Sequence, residues 1–359
     1  MNRLESLGWD DRWAAVFEAL GRTDWLPARV VKQHRERWRA AGEAGEFWAG
    51  LSGRMRLALS RGDTSPVIGD WLAVERADRG PGVIQAVLPR RSAFIRRAAG
   101  PATDAQVAAA NIDTVFLITG LDHNFNLSRI ERYLTAAWDS GASPVVVLNK
   151  SDLPTGLDEI LADVERVAIG APVLAVSAKE GLNLEALRPF LAPGKTVALL
   201  GSSGVGKSTL INRLLGEDRL RIRPVREDDS RGRHTTTHRE LVTLPGGALL
   251  IDTPGMRELQ LWSDDGGLDR AFDDISALAS RCRFPDCRHE AEPGCAIRSA
   301  VESGALDRRR LENYLKQRRE LDFLALKQDE KARRRSEKAE GRKMASMIKS
   351  VKRNKPRYQ

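Results

Sequence analysis

The sequence predicts a multidomain chain with a small N-terminal β-barrel, a central α/β domain and a C-terminal α-helical section. Three observations predict it. About five short apolar or alternating runs, separated by Gly, Pro and Asp turns, fall between residues 25 and 100. Five continuous apolar runs follow between 105 and 262, with helical patterns between most of them. Beyond 263, three cysteines cluster between two stretches of helical periodicity.

Residues 1–24 form an N-terminal helical extension, with Trp13, Val16, Phe17 and Leu20 at helical spacing. In 25–100 the expected strands are Ala28–Val31, Phe47–Leu51, Met55–Leu59, Trp71–Val74 and Val83–Leu88. Arg61-Gly62-Asp63, Gly69-Asp70 and Gly80-Pro81-Gly82 supply turns, and the whole reads as an OB-like barrel. Ala98–Ala102 reads as a linker. In 105–262 the runs are Val115–Ile118, Val145–Leu148, Val173–Val176, Val197–Leu200 and Leu249–Ile251. Strands buried on both faces read as unbroken apolar runs. With helical patterns such as Ser128–Trp138 and Leu184–Leu191 between them, they predict a doubly wound parallel sheet. In 263–326, Leu268, Phe272, Ile275 and Leu278 mark one helix, and Leu306, Leu311, Leu315, Leu321 and Leu324 a second. Residues 327–359 are a basic tail.

Charge and composition narrow the class. The formal net charge is +9, and residues 325–359 hold 13 Lys or Arg against 4 Asp or Glu, so the remaining 324 residues balance. The basicity belongs to the tail, which is a solvated charged helix or a nucleic-acid contact. No apolar run reaches the ~18 residues of a membrane span, and the acidic N-terminus does not read as a secretory signal, so no membrane role and a cytoplasmic location are expected.

The chemistry lies at the ends of the central strands. Gly201-Ser202-Ser203-Gly204-Val205-Gly206-Lys207-Ser208 matches G-x-x-x-x-G-K-[ST] between a strand and a helix that carries Thr209. Its amides can wrap phosphates, Lys207 can reach the β- and γ-phosphates, and Ser208 offers a hydroxyl to Mg²⁺. Asn149-Lys150-Ser151-Asp152 follows another strand. A carboxylate at Asp152 can accept from both N1–H and the N2 amine of guanine, a donor pair adenine lacks. The Lys150 stem can lie on the base, and Asn149 can tie neighbouring loops. Ser177-Ala178-Lys179 follows a third strand, where a loop of this type presents an amide to guanine O6. Asp252-Thr253-Pro254-Gly255 follows a fourth; Asp252 would hold Mg²⁺ through water and the Gly255 amide would meet the γ-phosphate. Thr236, in preference to Thr235 or Thr237, would complete the Mg²⁺ shell.

These segments imply GTP or GDP with Mg²⁺, in an unusual order. The phosphate loop follows the base-reading motifs, where most GTPases place it first, so the domain is circularly permuted. The final motif then leads almost directly into the cysteine section, and a γ-phosphate-dependent shift at Gly255 is expected to pull on it. Met256 stands where many GTPases carry the glutamine that orients water, and His234 is the candidate replacement. Slow intrinsic hydrolysis raised by a partner is the corresponding expectation. Cys282-x4-Cys287-x-His289-x5-Cys295 offers three thiolates and an imidazole, suited to one structural Zn²⁺, with free thiols or an iron–sulfur cluster as alternatives.

The order of NKSD, SAK, GSSGVGKS and DTPG, the preceding barrel and the C-x4-C-x-H-x5-C module resemble the RsgA/YjeQ family, ribosome small subunit-dependent GTPases. Pro66-Val67-Ile68-Gly69-Asp70-Trp71 and Gly232-Arg233-His234-Thr235-Thr236-Thr237 match its style. The resemblance implies an OB-fold barrel, a circularly permuted P-loop GTPase domain and a zinc-binding helical domain. It also implies a monomer that binds the small (30S) ribosomal subunit and its rRNA late in maturation, hydrolysing GTP with stimulation by the subunit. Two other readings stay open. One is a GTPase acting on another RNA or partner. The other is a GTP-dependent RNA-binding protein with negligible catalysis.

Overall fold

The structure, a computed structural model, describes residues 2–34, 37–61, 64–76, 80–97, 105–123, 125–217, 239–252 and 266–353. It begins with two short helices, α1 (Arg3–Ser6) and α2 (Asp11–Glu18). Asn2 and Glu5 close a capping box on α1, and the Asp10 carboxylate accepts the Trp13 amide to cap α2. Trp13 is buried beside Trp71 of the barrel, and Trp9 meets the Trp71 ring edge-on at 4.7 Å between centroids.

The barrel is built from β1 (Trp25–His34), β2 (Arg37–Gly42), β3 (Gly45–Leu51), β4 (Trp71–Glu75) and β5 (Gly82–Val87). Their order is β1-β2-β3-β5-β4, closed by pairing of β1 with β4; β3 and β5 are parallel and the other pairs antiparallel. Ala28, Val30, Trp38, Ala40, Ala49, Leu72, Val74 and Ile84 fill its interior. The expected strand at Met55–Leu59 is instead a helix, α3 (Gly53–Ser60). Ser52 caps it by accepting the Met55 amide at 3.2 Å, and its run of Arg, Met, Leu and Ala contains no β-branched residue. In its place β2 supplies the extra strand; its alternation of Arg37, Trp38, Arg39 and Ala40 is the period-2 pattern of a half-buried strand.

A two-stranded hairpin, β6 (Ala93–Arg97) with β7 (Ala105–Ala110), leads on from the barrel. The linker expected at Ala98–Ala102 lies outside the described residues. The central domain then runs β8 (Thr114–Gly120), α4 (Leu127–Asp139), β9 (Ser143–Asn149), α5 (Leu157–Val167), β10 (Val173–Val176), β11 (Thr196–Leu200), α6 (Lys207–Leu215), β12 (Arg239–Thr243) and β13 (Leu249–Asp252). The helix expected over Leu184–Leu191 is a 3₁₀ helix, Leu184–Phe190, with Pro189 inside it. Proline removes an amide donor and keeps this turn from continuing as an α-helix.

The sheet order is β10-β9-β8-β11-β13-β12. The first five strands are parallel and β12 is antiparallel to β13. β12 also pairs with β1 through Lys32↔Glu240 and Gln33↔Arg239, so the hydrogen-bonded sheet passes without a break into the barrel.

The C-terminal section contains α7 (Gly267–Ala271), α8 (Asp273–Ala279), α9 (Ala296–Glu302) and the 46-residue α10 (Arg308–Arg353). The first expected helix therefore breaks at Phe272, which leaves the helical region at φ −124° and ψ 44°. Leu268, Phe272 and Ile275 are buried together as the periodicity requires. α10 packs on α4 through Arg310, which lies in contact with Glu131 at 2.7 Å and Asp274 at 2.6 Å, and over the Phe272 ring. Arg132 of α4 and Glu320 of α10 form a bidentate pair at 2.7 Å.

Candidate nucleotide-binding site and cysteine cluster

The strands that precede all four segments singled out in the sequence end at the carboxyl edge of the parallel sheet. β9 ends at Asn149, β10 stops just before Ser177, β11 just before Gly201, and β13 at Asp252. Ligands bind open α/β sheets at this edge. In the phosphate loop, Gly204 and Gly206 adopt φ of +81° and +94°, conformations that suit glycine. Gly206 is required on a second ground, because a Cβ there would lie 2.2 Å from Asn149 Nδ2. Gly201 is pressed equally close, with a Cβ 2.3 Å from the Ile118 carbonyl oxygen. Lys207 Nζ donates to the carbonyls of Gly201 at 2.6 Å and Ser202 at 2.5 Å, which fixes the ammonium over the loop. Val205 is buried, Ser203 is exposed, and Ser208 and Thr209 sit half-buried in the first turn of α6. The loop and the amino end of α6 form a cradle for an anion.

Asn149 joins this cradle to the Ser177–Lys179 loop. Its Nδ2 donates to the Val205 carbonyl at 2.7 Å and its Oδ1 accepts the Ala178 amide at 2.9 Å. The side chain is buried, and both of its ends are satisfied. Lys150 follows in the left-handed region at φ +67°, and its Nζ pairs with Asp122 Oδ2 at 2.5 Å. Asp152 is exposed; a hydrogen bond from the Ser177 hydroxyl leads the effects that hold its carboxyl below the usual range. Ser177 and Ala178 are buried while Lys179 is exposed. The carboxylate is thus exposed and tied to the Ser177–Lys179 loop.

Three residues of this region escape sequence reasoning. Asp122 holds Lys150 and lies just past the end of β8. An acid at one more carboxyl end of a sheet whose other ends all carry motifs was the available signal. Arg129, in the first turn of α4, donates from Nη1 to Ser202 Oγ at 3.2 Å. Arg213 of α6 donates from Nε to the Ala178 carbonyl at 3.0 Å and from Nη2 to that of Lys179 at 2.6 Å, binding the base loop to the phosphate helix. No local pattern marks either arginine, because their partners are 73 and 34–35 residues away in sequence.

His234, Thr235, Thr236, Thr237, Gly255 and Met256 lie outside the described residues. Asp252 is described only in its backbone, where it pairs with Glu240.

The cysteines and histidine come together. The ligand atoms of Cys282, Cys287, His289 and Cys295 all lie within 4.8 Å of one another. Cys282 Sγ and Cys295 Sγ are 3.9 Å apart, and each is 3.6 Å from His289 Nδ1. Four donors bound to one tetrahedral zinc at ~2.0–2.3 Å stand about 3.5–3.8 Å apart, so the set fits that ion. Burial leads the effects that hold His289 below its usual range, which favours the neutral imidazole a metal takes. Cys295 caps α9, its Sγ accepting the Arg298 amide at 3.5 Å. Glu292 organises the loop between His289 and Cys295. Its carboxylate accepts amides of Arg288, Glu290 and Ala291, and backbone hydrogen bonds, its own first, bring it down to about 2.

Comparison with known proteins agrees with this geometry. A family model described as RsgA GTPase matches residues 87–262, and one described as 50S ribosome-binding GTPase matches 196–355. The chain is 51% identical over 336 residues to the small ribosomal subunit biogenesis GTPase RsgA of Opitutus terrae, covering 91% of this chain and 92% of that one. It is 44% identical over 330 residues to RsgA 2 of Lactiplantibacillus plantarum, covering 92% of each. Among solved structures, YjeQ from Thermotoga maritima superposes with a TM-score of 0.64 at 29% identity, covering 83% of this chain and 98% of that one. YloQ, described as a circularly permuted GTPase, shares the fold with a TM-score of 0.60 at 21% identity, over 84% and 96% of the two chains. With a closed five-stranded barrel, the NKSD and SAK segments placed before the phosphate loop, and a Cys3His cluster, this chain belongs to the RsgA/YjeQ family of small ribosomal subunit biogenesis GTPases, circularly permuted GTP hydrolases.

Proposed function

We propose that this GTPase binds the small ribosomal subunit and its rRNA, as a monomer in the cytoplasm, and turns over GTP when docked there. The observation that carries the nucleotide half is the Asn149 side chain, which bonds at once to the phosphate loop and to the Ser177–Lys179 loop. That contact brings segments separated by 29 and 56 residues to one place. In this reading Gly201, Ser202, Ser203, Gly204, Val205, Gly206, Lys207, Ser208 and Thr209 hold the phosphates. Asn149, Lys150, Asp152, Ser177, Ala178 and Lys179 hold the guanine. Ser208, Thr236 and Asp252 would hold Mg²⁺, whose chemistry is to neutralise charge on the β- and γ-oxygens. Gly255 would meet the γ-phosphate, and His234 would orient the attacking water. Cys282, Cys287, His289 and Cys295 would hold one structural Zn²⁺. The domain limits that go with this reading are 25–100 for the barrel, 105–262 for the GTPase domain and 263–326 for the zinc domain.

The names of the relatives and the +9 balance of the tail support a ribosomal RNA partner, since Lys and Arg bind phosphate backbones by counterion release. The absence of a glutamine after Gly255 supports partner-stimulated turnover. Multiple-turnover GTP hydrolysis titrated with isolated 30S and, separately, 50S subunits tests it. Stimulation on the order of tenfold or more by 30S alone is expected. Equal stimulation by 50S subunits, or none by either, would overturn the assignment.

A further inference from the structure

The start of α4 serves two distant parts of the molecule at once. Asn126 caps the helix by accepting the Arg129 amide at 2.9 Å, which fixes the first turn. Arg129 then reaches the phosphate loop, donating from Nη1 to Ser202 Oγ at 3.2 Å. Lys207 donates to the carbonyl of the same serine, so two cationic side chains meet at one residue of the loop.

The neighbours of Arg129 serve α10. The Ser128 carbonyl accepts from Asn313 at 3.4 Å, Glu131 accepts from Arg310 and Asn313, and Arg132 makes two bonds to Glu320 at 2.7 Å. Positions 128, 131 and 132 share one helix face, being spaced i, i+3 and i+4, and position 129 lies beside that face. Residues 128–132 span about 6 Å of helix axis, and the backbone ladder makes them one rigid piece. The contacts to the loop and to α10 therefore shift together. The Arg310–Glu131 pair is only 7% and 4% exposed. Leaving such a pair half made is costly, so α10 is either seated on α4 or released from it, with few states between.

We propose that Arg129 is a positioning residue for GTP turnover, which sets the Ser202 side of the phosphate loop and is itself set by the seating of α10 on α4. α10 runs on into the basic tail, so a partner that binds the tail and moves the helix acts on the phosphate loop through Arg129. By reciprocity, the nucleotide alters how firmly α10 is held. That the partner is ribosomal RNA rests on the function proposed above; the link between helix and loop does not.

The test follows release of a fluorescent GDP analogue from the full chain by stopped flow, without ribosomal subunits. Arg132 and Glu320 are each about a third exposed, so their charges can be reversed without burying one unpaired. Either Arg132→Glu or Glu320→Arg sets like charges face to face and loosens α10, and the two together restore the pair. Each single reversal should change the release rate by roughly threefold or more, and the double reversal should return it to the starting value. In an Arg129→Ala background the same reversals should have little further effect. A lock with a structural role alone would shift the unfolding midpoint and leave GDP release as it was. Unfolding curves identify the folded variants, and either single reversal suffices if the other does not fold. Release rates unaffected by the reversals, no recovery in the double reversal, or an effect that persists in full without Arg129 would overturn the proposal. A failure of 30S subunits to stimulate hydrolysis would count against the ribosomal partner and leave this link standing.

Discussion

At the scale of single residues, the site is organised by side chains whose bonds run in two directions. Asn149 is the clearest case: its amide nitrogen serves the phosphate loop and its oxygen the base loop. Asp152, the residue proposed to read guanine, has its carboxyl held below the usual range by Ser177 first and its face left to solvent. Asp152→Asn replaces an acceptor with a group that offers a donor to the guanine N1–H and N2 amine. GTP affinity should fall by roughly 10–100-fold, corresponding to about 1–3 kcal/mol for the mismatched polar contact, while XTP gains. Calorimetric titrations with GTP, XTP and ATP check this, and unchanged GTP affinity would contradict the role. Asp10 gives a residue-scale prediction in pH. A hydrogen bond from Arg91 leads the effects that lower its folded pKa below the ordinary 3.8. A carboxyl lowered on folding contributes stability that is present above its unfolded value and lost as pH falls through the folded one. The packing of Trp9 and Trp13 on Trp71 should therefore loosen at acid pH below 3.8 and hold above it, as read by tryptophan emission.

At the scale of elements, α10 is held to α4 by a polar lock. Arg310 bridges Glu131 of α4 and Asp274 of α8, and Asn313 adds a second contact to Glu131. Glu131 is almost fully enclosed, and burial leads the effects that push its carboxyl up. Removing its cation leaves a buried charge with only the neutral Asn313 amide to face it. Arg310→Ala should cost about 3–5 kcal/mol in denaturant unfolding, against the few tenths of an exposed pair. A loss below about 1 kcal/mol would show that the lock is solvated. The cysteine loop is the second element with a testable staple. Cys295 caps α9, and most residues of the segment between α8 and α9 are exposed or half-buried, so a metal bound by the Cys3His cluster would add order there. Stripping the protein with a strong chelator should release one zinc per chain and raise hydrogen exchange between residues 280 and 297. Absence of metal in the purified chain, with the loop equally protected, would exclude the structural zinc.

At the scale of the whole molecule, permutation and sheet continuity set what can move what. The barrel is hydrogen-bonded to the GTPase sheet through β1 and β12, and α10 is fastened to α4, whose first turn touches the phosphate loop through Arg129. The barrel, the C-terminal helix and the nucleotide edge are thus joined by strands and buried polar contacts. Partner-stimulated hydrolysis, the prediction tested with ribosomal subunits, belongs to this scale, because no described residue by itself accounts for it.

The features the sequence determined are those whose physics is local. Glycines with positive φ, a lysine and serine opening a helix, and unbroken apolar runs for strands buried on both faces identify the phosphate loop and the parallel sheet without reference to distant residues. Four metal-type ligands within 14 residues likewise identify their own cluster. The misreadings occurred where local preference is weak. Met55–Leu59 alternates as a strand would, yet the Ser52 cap and the helix-forming residues after it make a helix. β12 is short and flanked by residues with no strand signal, so only pairing with β13 and β1 reveals it. Tertiary structure alone decided which distant groups meet: Asp122 with Lys150, Arg129 with Ser202, and Arg310 with Glu131. Such contacts arise from chain segments brought together by burial of the core, and a pairing set by that collapse leaves no periodicity or spacing in the sequence to announce it.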